Sequence, residues 1–267
     1  MSRSVDSLAV GTLIGYLLIG ALLFVWRMLR CPEGWRMGIL YVINSLYTRL
    51  GFHWRANRRC PFAEARPGII IANHSSPVDP LFIWAGMWTC RPMEFMTAAE
   101  YFNIPGLTML FRWLHAIPVA RDGKDMVATR TALRRLEEGR LVGVFPEGRI
   151  NRGPGLLPAN PGIAFLALRS RAPVFPVFIH NAPRGEGMVD PFWRFNRVSV
   201  TYGDPVDLSA YYGRPRTPEL LQEVTDLLMR RVGELGGLYP APPEPVRETR
   251  PDEGPATLPM VAPSISA

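Results

Sequence analysis

Gly68-Ile69-Ile70-Ile71-Ala72-Asn73-His74-Ser75-Ser76-Pro77-Val78-Asp79 is the stretch that decides the fold. Its first half is a continuous apolar run of strand length, apolar on both faces as a strand inside a sheet must be. Its second half turns abruptly polar, which puts those groups at the lip of the sheet, where sites form in α/β folds. Comparable runs follow at Glu94–Ala98 and at residues 116–120, 141–145, 174–179 and 197–202. Between them, residues 80–88, 107–114, 124–138 and Gly162–Ser170 read as helices. The alternation predicts an α/β domain, a central mostly parallel or mixed sheet flanked by helices. Within residues 124–138, Met126, Val127, Leu133 and Leu136 group on one side, and Gly139 suits the left-handed position after a helix. A last helix is expected from the Thr217-Pro218-Glu219 cap to Gly236-Gly237.

Upstream the chain changes character. Residues 8–26 carry no charge over 19 positions, enough to cross a hydrocarbon core of roughly 30 Å. No small-residue cleavage site follows, so a retained N-terminal membrane helix is expected rather than a secretory signal. Arg27, Arg30 and Arg36 lie downstream of the run, whereas Arg3 before it is offset by Asp6. The positive-inside rule then places the rest of the chain on the cytoplasmic face. Residues 37–50 are apolar but interrupted by Asn44, Ser45 and Arg49, which suits an interfacial helix; a helix packed on the core fits the same pattern. From Pro240 onward proline, charge and small residues dominate, a composition that cannot offset the entropy of ordering. The expected organisation is a membrane anchor over 1–30, an interfacial helix and connector over 31–59, a catalytic domain over 60–238 and a disordered tail over 239–267.

A chain of 267 residues holds one large α/β domain with appendages. Its apolar fraction of 48% and mean hydropathy of +0.05 sit at the upper edge for a soluble protein. The net charge is +7, and Lys124 is the single lysine among 30 basic residues. Guanidinium groups bind phosphate bidentately, so this surface suits anionic headgroups. No basic run is interleaved with aromatics in the manner of a nucleic-acid groove, and nucleic acid is not an expected partner. Cys31, Cys60 and Cys90 are widely spaced, with no cluster suggesting a disulfide framework or a metal site, and a reducing compartment fits them best.

Two strand-end clusters carry chemistry. In the first, His74 is the residue type that takes a proton near neutral pH, and Asp79 is placed to fix its tautomer once Pro77 and Pro80 bend the connection. Asp79 as a simple helix cap fits the same residues. In the second, Phe145-Pro146-Glu147-Gly148-Arg149, glycine lets the backbone approach a ligand, arginine offers a phosphate fork, and the carboxylate can bind a hydroxyl or an arginine. A tight turn with a surface ion pair is the alternative. His53, His115 and His180 compete with His74, but none has a carboxylate placed as Asp79 is. Phe82, Trp84 and Trp88 are spaced as a helix face suited to the core. No GxSxG elbow occurs.

Together the clusters resemble the glycerophospholipid acyltransferase family, typified by bacterial 1-acylglycerol-3-phosphate acyltransferase. Four blocks carry the resemblance: Asn73-His74 with Asp79; Ile117-Pro118-Val119-Ala120-Arg121; Phe145 to Gly148; and Pro173-Val174-Phe175-Pro176-Val177. What it implies is a general base, His74, oriented by Asp79, that deprotonates a glycerol hydroxyl as it attacks an acyl thioester. Acyl-CoA or acyl carrier protein would be the co-substrate, and no other cofactor is implied. Substrate would be bound by Asn73, Arg121, Phe145, Pro146, Glu147, Gly148 and Arg149. Two departures stand out. His115 precedes Ala116 where the family often has glycine, and Arg149-Ile150 stands where threonine and arginine are usual. A one-place shift on extended backbone points a side chain to the opposite face, leaving Arg152 or Arg121 as alternative phosphate contacts. The run from Phe145 to Asn151 is also similar to the tafazzin branch, whose members exchange acyl groups between phospholipids and lysophospholipids.

Overall fold

The computed structural model describes residues 2–29, 31–87, 89, 91–120 and 125–238, with the side chains of 2–9 and of Arg27 left aside. Seven strands form one sheet in the order β1-β7-β6-β2-β5-β3-β4. They are β1 (Arg55–Ala56), β2 (Gly68–Ala72), β3 (Glu94–Ala98), β4 (Ile117–Val119), β5 (Leu141–Val144), β6 (Val174–His180) and β7 (Ser199–Tyr202). All neighbours run parallel except β6 and β7. Because β7 is reversed, its first residue, Ser199, lies beside His180 at the end of β6, and Arg55 at the start of β1 lies beside Ser199.

The pleat of β2 divides the core. Ile69 and Ile71 face one hydrophobic cluster, built with α5 (Met126–Glu137), α6 (Gly162–Ser170) and α7 (Pro218–Gly236). Ile70 and Ala72 face the other, which contains Phe62, Phe82 and Phe175 and the buried sides of α2 (Trp35–Leu46) and α3 (Asp79–Ala85). The short helix α4 (Leu107–Trp113) leads into β4. Thr217 caps α7 by accepting from the Leu220 N–H, and Gly237 ends it in the left-handed conformation. Phe82 and Trp84 are core residues, as their spacing predicts; Trp88 lies outside the described residues.

Some expectations are corrected. Ala128, Ala132 and Leu136 form the buried stripe of α5, while Met126 and Val127 are exposed, because small residues let the helix approach the sheet closely. Arg55 and Ala56, read as connector, form an edge strand too short to show periodicity. Cys31 is disulfide-bonded, against the reading of three unpaired thiols. Cys60 is free and buried, and desolvation pushes its thiol up to about 12. The tail over 239–267 lies outside the described residues.

The uncharged run 8–26 belongs to α1 (Ser2–Leu29), and its first side chains lie outside the described residues. Among the described residues, no helix is long and apolar enough to cross a membrane. From Val10 to Leu29 the helix is lined with exposed Leu, Ile, Val, Phe and Trp side chains. Its end packs on α2, where Gly38 meets the backbone of Met28. α2 is two-sided: Met37, Tyr41 and Asn44 are buried, with the Asn44 amide donating to the Leu81 carbonyl, and Trp35, Ile43 and Leu46 are exposed.

At the N-terminal edge of the sheet lies a buried charge cluster. Glu94 is 1% exposed and meets Arg135 at 3.1 Å and Arg140 at 3.9 Å; Arg140 in turn pairs with Glu33 at 2.6 Å, tying the segment before α2 to the sheet. Neither Glu94 oxygen receives an aligned hydrogen bond, so burial outweighs the two arginines and raises the carboxyl to about 7. A carboxyl raised on folding contributes stability that is full below its unfolded value, near 4.5, and is lost as pH climbs through about 7. That shift corresponds to roughly 3 kcal/mol. Urea denaturation at pH 5 and pH 8 is expected to show the Glu94 contribution disappearing at the higher pH, and Glu94→Gln is expected to flatten the dependence; an unaltered slope in the variant would contradict it.

Candidate active site

The polar end of β2 is built in successive layers of hydrogen bonding. Asn73 turns its amide across to β6, donating to the Ile179 carbonyl at 3.1 Å and accepting from the Ile179 N–H at 2.8 Å. The amide thereby continues the ladder one step beyond the last backbone pair, Ala72 with Val177, and fixes where the chain leaves the sheet.

From there residues 74–79 fold back on themselves. Asp79 is fully buried at the start of α3, and its Oδ2 accepts from His74 Nδ1 at 3.0 Å, from the Ser75 N–H at 2.7 Å and from the Ser76 N–H at 2.8 Å. The capping alternative is not what the structure shows, since the N-cap of α3 is Val78 with no side-chain cap bond; the Asp79 carboxylate closes the preceding turn and the imidazole closes onto it. With Nδ1 engaged, Nε2 is the nitrogen left to accept a proton. The His74 side chain is 17% exposed, so it reaches the surface of the site without being surrounded by water.

The second cluster clasps the first. Glu147 Oε1 accepts the His74 N–H at 2.9 Å, and its Oε2 accepts the Leu157 N–H at 3.0 Å. Asn151 donates its own N–H to the His74 carbonyl at 2.6 Å. Both backbone groups of His74 are therefore held by residues that follow β5. Phe145 stacks under the imidazole, with ring centres 4.1 Å apart and planes 16° apart, and Phe95 stacks under Phe145 at 5.4 Å. Gly143 permits this column, because a Cβ there would collide with the Phe95 ring. The Pro146 carbonyl accepts from Asn160, and Gly148 adopts φ +66° in the turn that returns the chain towards Asn151. Burial raises the Glu147 carboxyl, while its bonds from Leu157 and His74 and the nearby imidazole act against that rise.

A groove of about 1040 Å³ opens over His74, bordered by Ser75, Glu147 and Asn151 on one side and by the end of β6 and the 182–197 loop on the other. His180 lines it, with Nε2 3.0 Å from the Thr201 hydroxyl and with its basicity lowered by burial. His115 lies instead near Arg140, at the opposite edge of the sheet, and burial and Arg140 lower its basicity. Among the four histidines, His74 is the one paired with a carboxylate among the described residues.

The structure brings Asn73, His74, Asp79, Phe145, Pro146, Glu147 and Gly148 together. Arg149 is exposed and is not among the residues lining the groove, and Arg121 lies outside the described residues. The cations that do line the groove are Arg184, Arg194 and Arg197. Arg194 is engaged with Asp190 at 2.8 Å. Sequence reasoning passed over all three: Arg184 and Arg194 sit in a loop with no strand or helix pattern, and Arg197 was read as the first residue of a strand. The available signal was positional: a loop rich in arginine directly after a strand end.

A family profile described as Acyltransferase matches residues 55–180, and it covers every element that holds His74. The chain is 26% identical over 172 residues to a 1-acyl-sn-glycerol-3-phosphate acyltransferase of Bacillus subtilis, a match covering 64% of this chain and 82% of that protein. To the Salmonella typhimurium protein of the same name it is 32% identical over 172 residues, covering 62% and 67%. Several further relatives of that name are matched over less than half of their own length. The fold is similar to the crystal structure of a 1-acyl-sn-glycerophosphate acyltransferase, PlsC, from Thermotoga maritima, with TM-score 0.58, 23% identity and coverage of 83% and 90%.

The clasp yields a prediction. In Glu147→Gln one of two backbone N–H groups, of His74 or Leu157, faces an NH2 instead of an oxygen. The variant is expected to lose about 1–3 kcal/mol in urea denaturation. Unchanged stability would show that Glu147 does not carry the turn.

Proposed function

We propose that this chain, a member of the glycerophospholipid acyltransferase family, moves a fatty acyl group from acyl-CoA or acyl carrier protein to the free hydroxyl of 1-acylglycerol-3-phosphate. The observation that carries the reading is the His74–Asp79 pair, held on both backbone sides by Glu147 and Asn151 and opening onto the large groove. In the proposed step, His74 Nε2 takes the proton of the glycerol hydroxyl as its oxygen attacks the thioester carbonyl carbon. Asp79 holds the Nδ1–H and faces the positive charge that develops on the ring. The carbon–sulfur bond then breaks, and the imidazolium returns its proton to the departing thiolate. Arg184 and Arg194, which line the groove, suit a phosphorylated acceptor, and Ser75 and Ser76 take no nucleophilic part, since Asp79 binds their backbones as turn residues.

A membrane substrate also accounts for the exposed apolar surface. Beyond α1 and α2 it includes Leu50, Met188, Val189, Trp193 and Phe195. The loop carrying the last four is tied to the membrane-proximal segment, where Tyr47 donates to the Phe192 carbonyl at 2.6 Å and Phe52 meets Phe195 at 5.3 Å. The proposed arrangement is an α1 anchor with the groove at the headgroup level of the cytoplasmic leaflet. The Cys31 disulfide is the observation that favours the opposite face, since disulfides persist in oxidising compartments. Treating intact cells and inverted vesicles with a membrane-impermeant protease discriminates the two: cleavage of the domain in inverted vesicles alone is expected, and cleavage in intact cells alone would reverse the orientation.

Purified protein given labelled acyl thioester and lysophosphatidate is expected to form the diacyl product. His74→Ala is expected to lower kcat by about 10²–10⁴-fold. Full activity in that variant would refute the mechanism. Movement of label from phospholipid to lysophospholipid with no thioester present would instead establish the transacylase chemistry that the run Phe145 to Asn151 resembles.

A further inference from the structure

Beside the groove, at the same edge of the sheet, lies a hollow of about 320 Å³ bordered by His53, Arg55, Asn181, Arg197, Val198 and Ser199. The topology makes it: the reversal of β7 brings the start of that strand to the C-terminal edge, and β1, parallel to β7, begins there too. Arg55 pairs in register with Ser199, and the Arg55 N–H donates to the Val198 carbonyl at 3.1 Å, so β1, which presents Arg55, is fixed relative to the segment that carries Arg197 into β7. None of the bordering residues is acidic, and neither Arg55 nor Arg197 forms an ion pair among the described residues. His53 and Asn181 both hold left-handed backbone conformations, φ +46° and +55°, unusual outside glycine and often found where a ligand is clamped. Arg197 lines the hollow and the groove alike, so the two spaces are joined through its side chain.

Distance decides what such a site can hold. From β2, which leads into His74, β7 is two strands away and β1 three, roughly 10 and 14 Å at about 4.8 Å per strand. The phosphate of a lysophosphatidate acceptor is only a few bonds from the hydroxyl that His74 would deprotonate, so it must sit close to that histidine. The phosphate of a pantetheine thioester is separated from its carbonyl by the whole extended arm. The length of the gap therefore selects the donor.

We propose that the Arg55–Arg197 hollow is the subsite for the phosphate of the acyl donor, a phosphopantetheine-type thioester whose arm runs from the groove over the ends of β6 and β7. The proposal rests on the acyltransferase reading above. Coenzyme A and acyl carrier protein share this phosphate, and coenzyme A adds those of its nucleotide. Fork-shaped guanidinium groups, one from β1 and one from the segment entering β7, suit the oxyanion of a phosphodiester or a diphosphate bridge.

The test is steady-state kinetics of Arg55→Ala, Arg197→Ala and the double variant, with donor and acceptor varied in turn. A rise in donor KM of about tenfold or more is expected in the double variant, with acceptor KM and kcat much less affected. Both side chains are exposed, so the core stays intact, and Arg55→Lys is expected to recover part of the loss. Calorimetric titration with coenzyme A alone, on wild type and double variant, is expected to show a parallel fall in affinity. An equal rise with acyl-CoA and acyl carrier protein assigns the hollow to the shared phosphate, and a rise with acyl-CoA alone assigns it to the nucleotide end. An unchanged donor KM and coenzyme A affinity, a rise confined to the acceptor, or a rise confined to acyl carrier protein would overturn the proposal. Wild-type protein that turns over no thioester would defeat the acyltransferase reading instead, and coenzyme A binding alone would then judge the hollow.

Discussion

The site depends on one buried oxygen. Asp79 Oδ2 accepts from His74 Nδ1 and from the N–H groups of Ser75 and Ser76, so a single carboxylate sets both the shape of the turn and the tautomer of the ring it carries. A carboxyl group with no solvent contact depends on such partners, because a buried polar group without hydrogen bonds is costly. The dependence runs both ways, because a turn that loosened would leave the charge uncompensated. Position of the imidazole and integrity of the turn are therefore one physical problem, and the sheet solves it by delivering Asn73 to a fixed point on β6 first.

Around that turn the chain uses residues distant in sequence to constrain the same histidine. Glu147 and Asn151 grip its backbone, and the Phe95–Phe145 column fixes the plane of its ring. This gives the second motif a different meaning from the one its composition suggests. Glu147 reads as a group for substrate, yet both its oxygens serve backbone N–H groups. It is a strut beside the imidazole as well as a residue bordering the groove, and Gly148 and Pro146 shape the return of the strut's loop.

How much was visible beforehand follows from the range of the interactions involved. Strands Gly68–Ala72 and Glu94–Ala98, the α6 helix and both ends of α7 were legible, since apolar runs, caps and terminal glycines are local signals. His74 with Asp79 was legible because the partners lie five residues apart across a proline-bent turn. The arginines of the 182–197 loop were not, because nothing local says which loops border which groove. The face of α5 was misread for a related reason: hydrophobicity favours Met126 and Val127, but close approach to the sheet selects Ala128 and Ala132. The two-residue strand β1 was invisible for lack of any period, although it places Arg55.

That short strand bears on how the imidazole and the arginines come to share one edge of the sheet. A wholly parallel sheet would send the start of its last strands to the edge opposite His74, and arginines there would face the wrong side of the molecule. Reversing β7 against β6, and then running β1 alongside it, turns two strand beginnings towards the edge where β2 ends. The end that carries His74 is therefore built from chain that is leaving the sheet, and Arg55 and Arg197 come from chain that is entering it. The strand order β1-β7-β6-β2 thus sets the spacing between the strand end that leads into His74 and the strand beginnings that carry or follow Arg55 and Arg197.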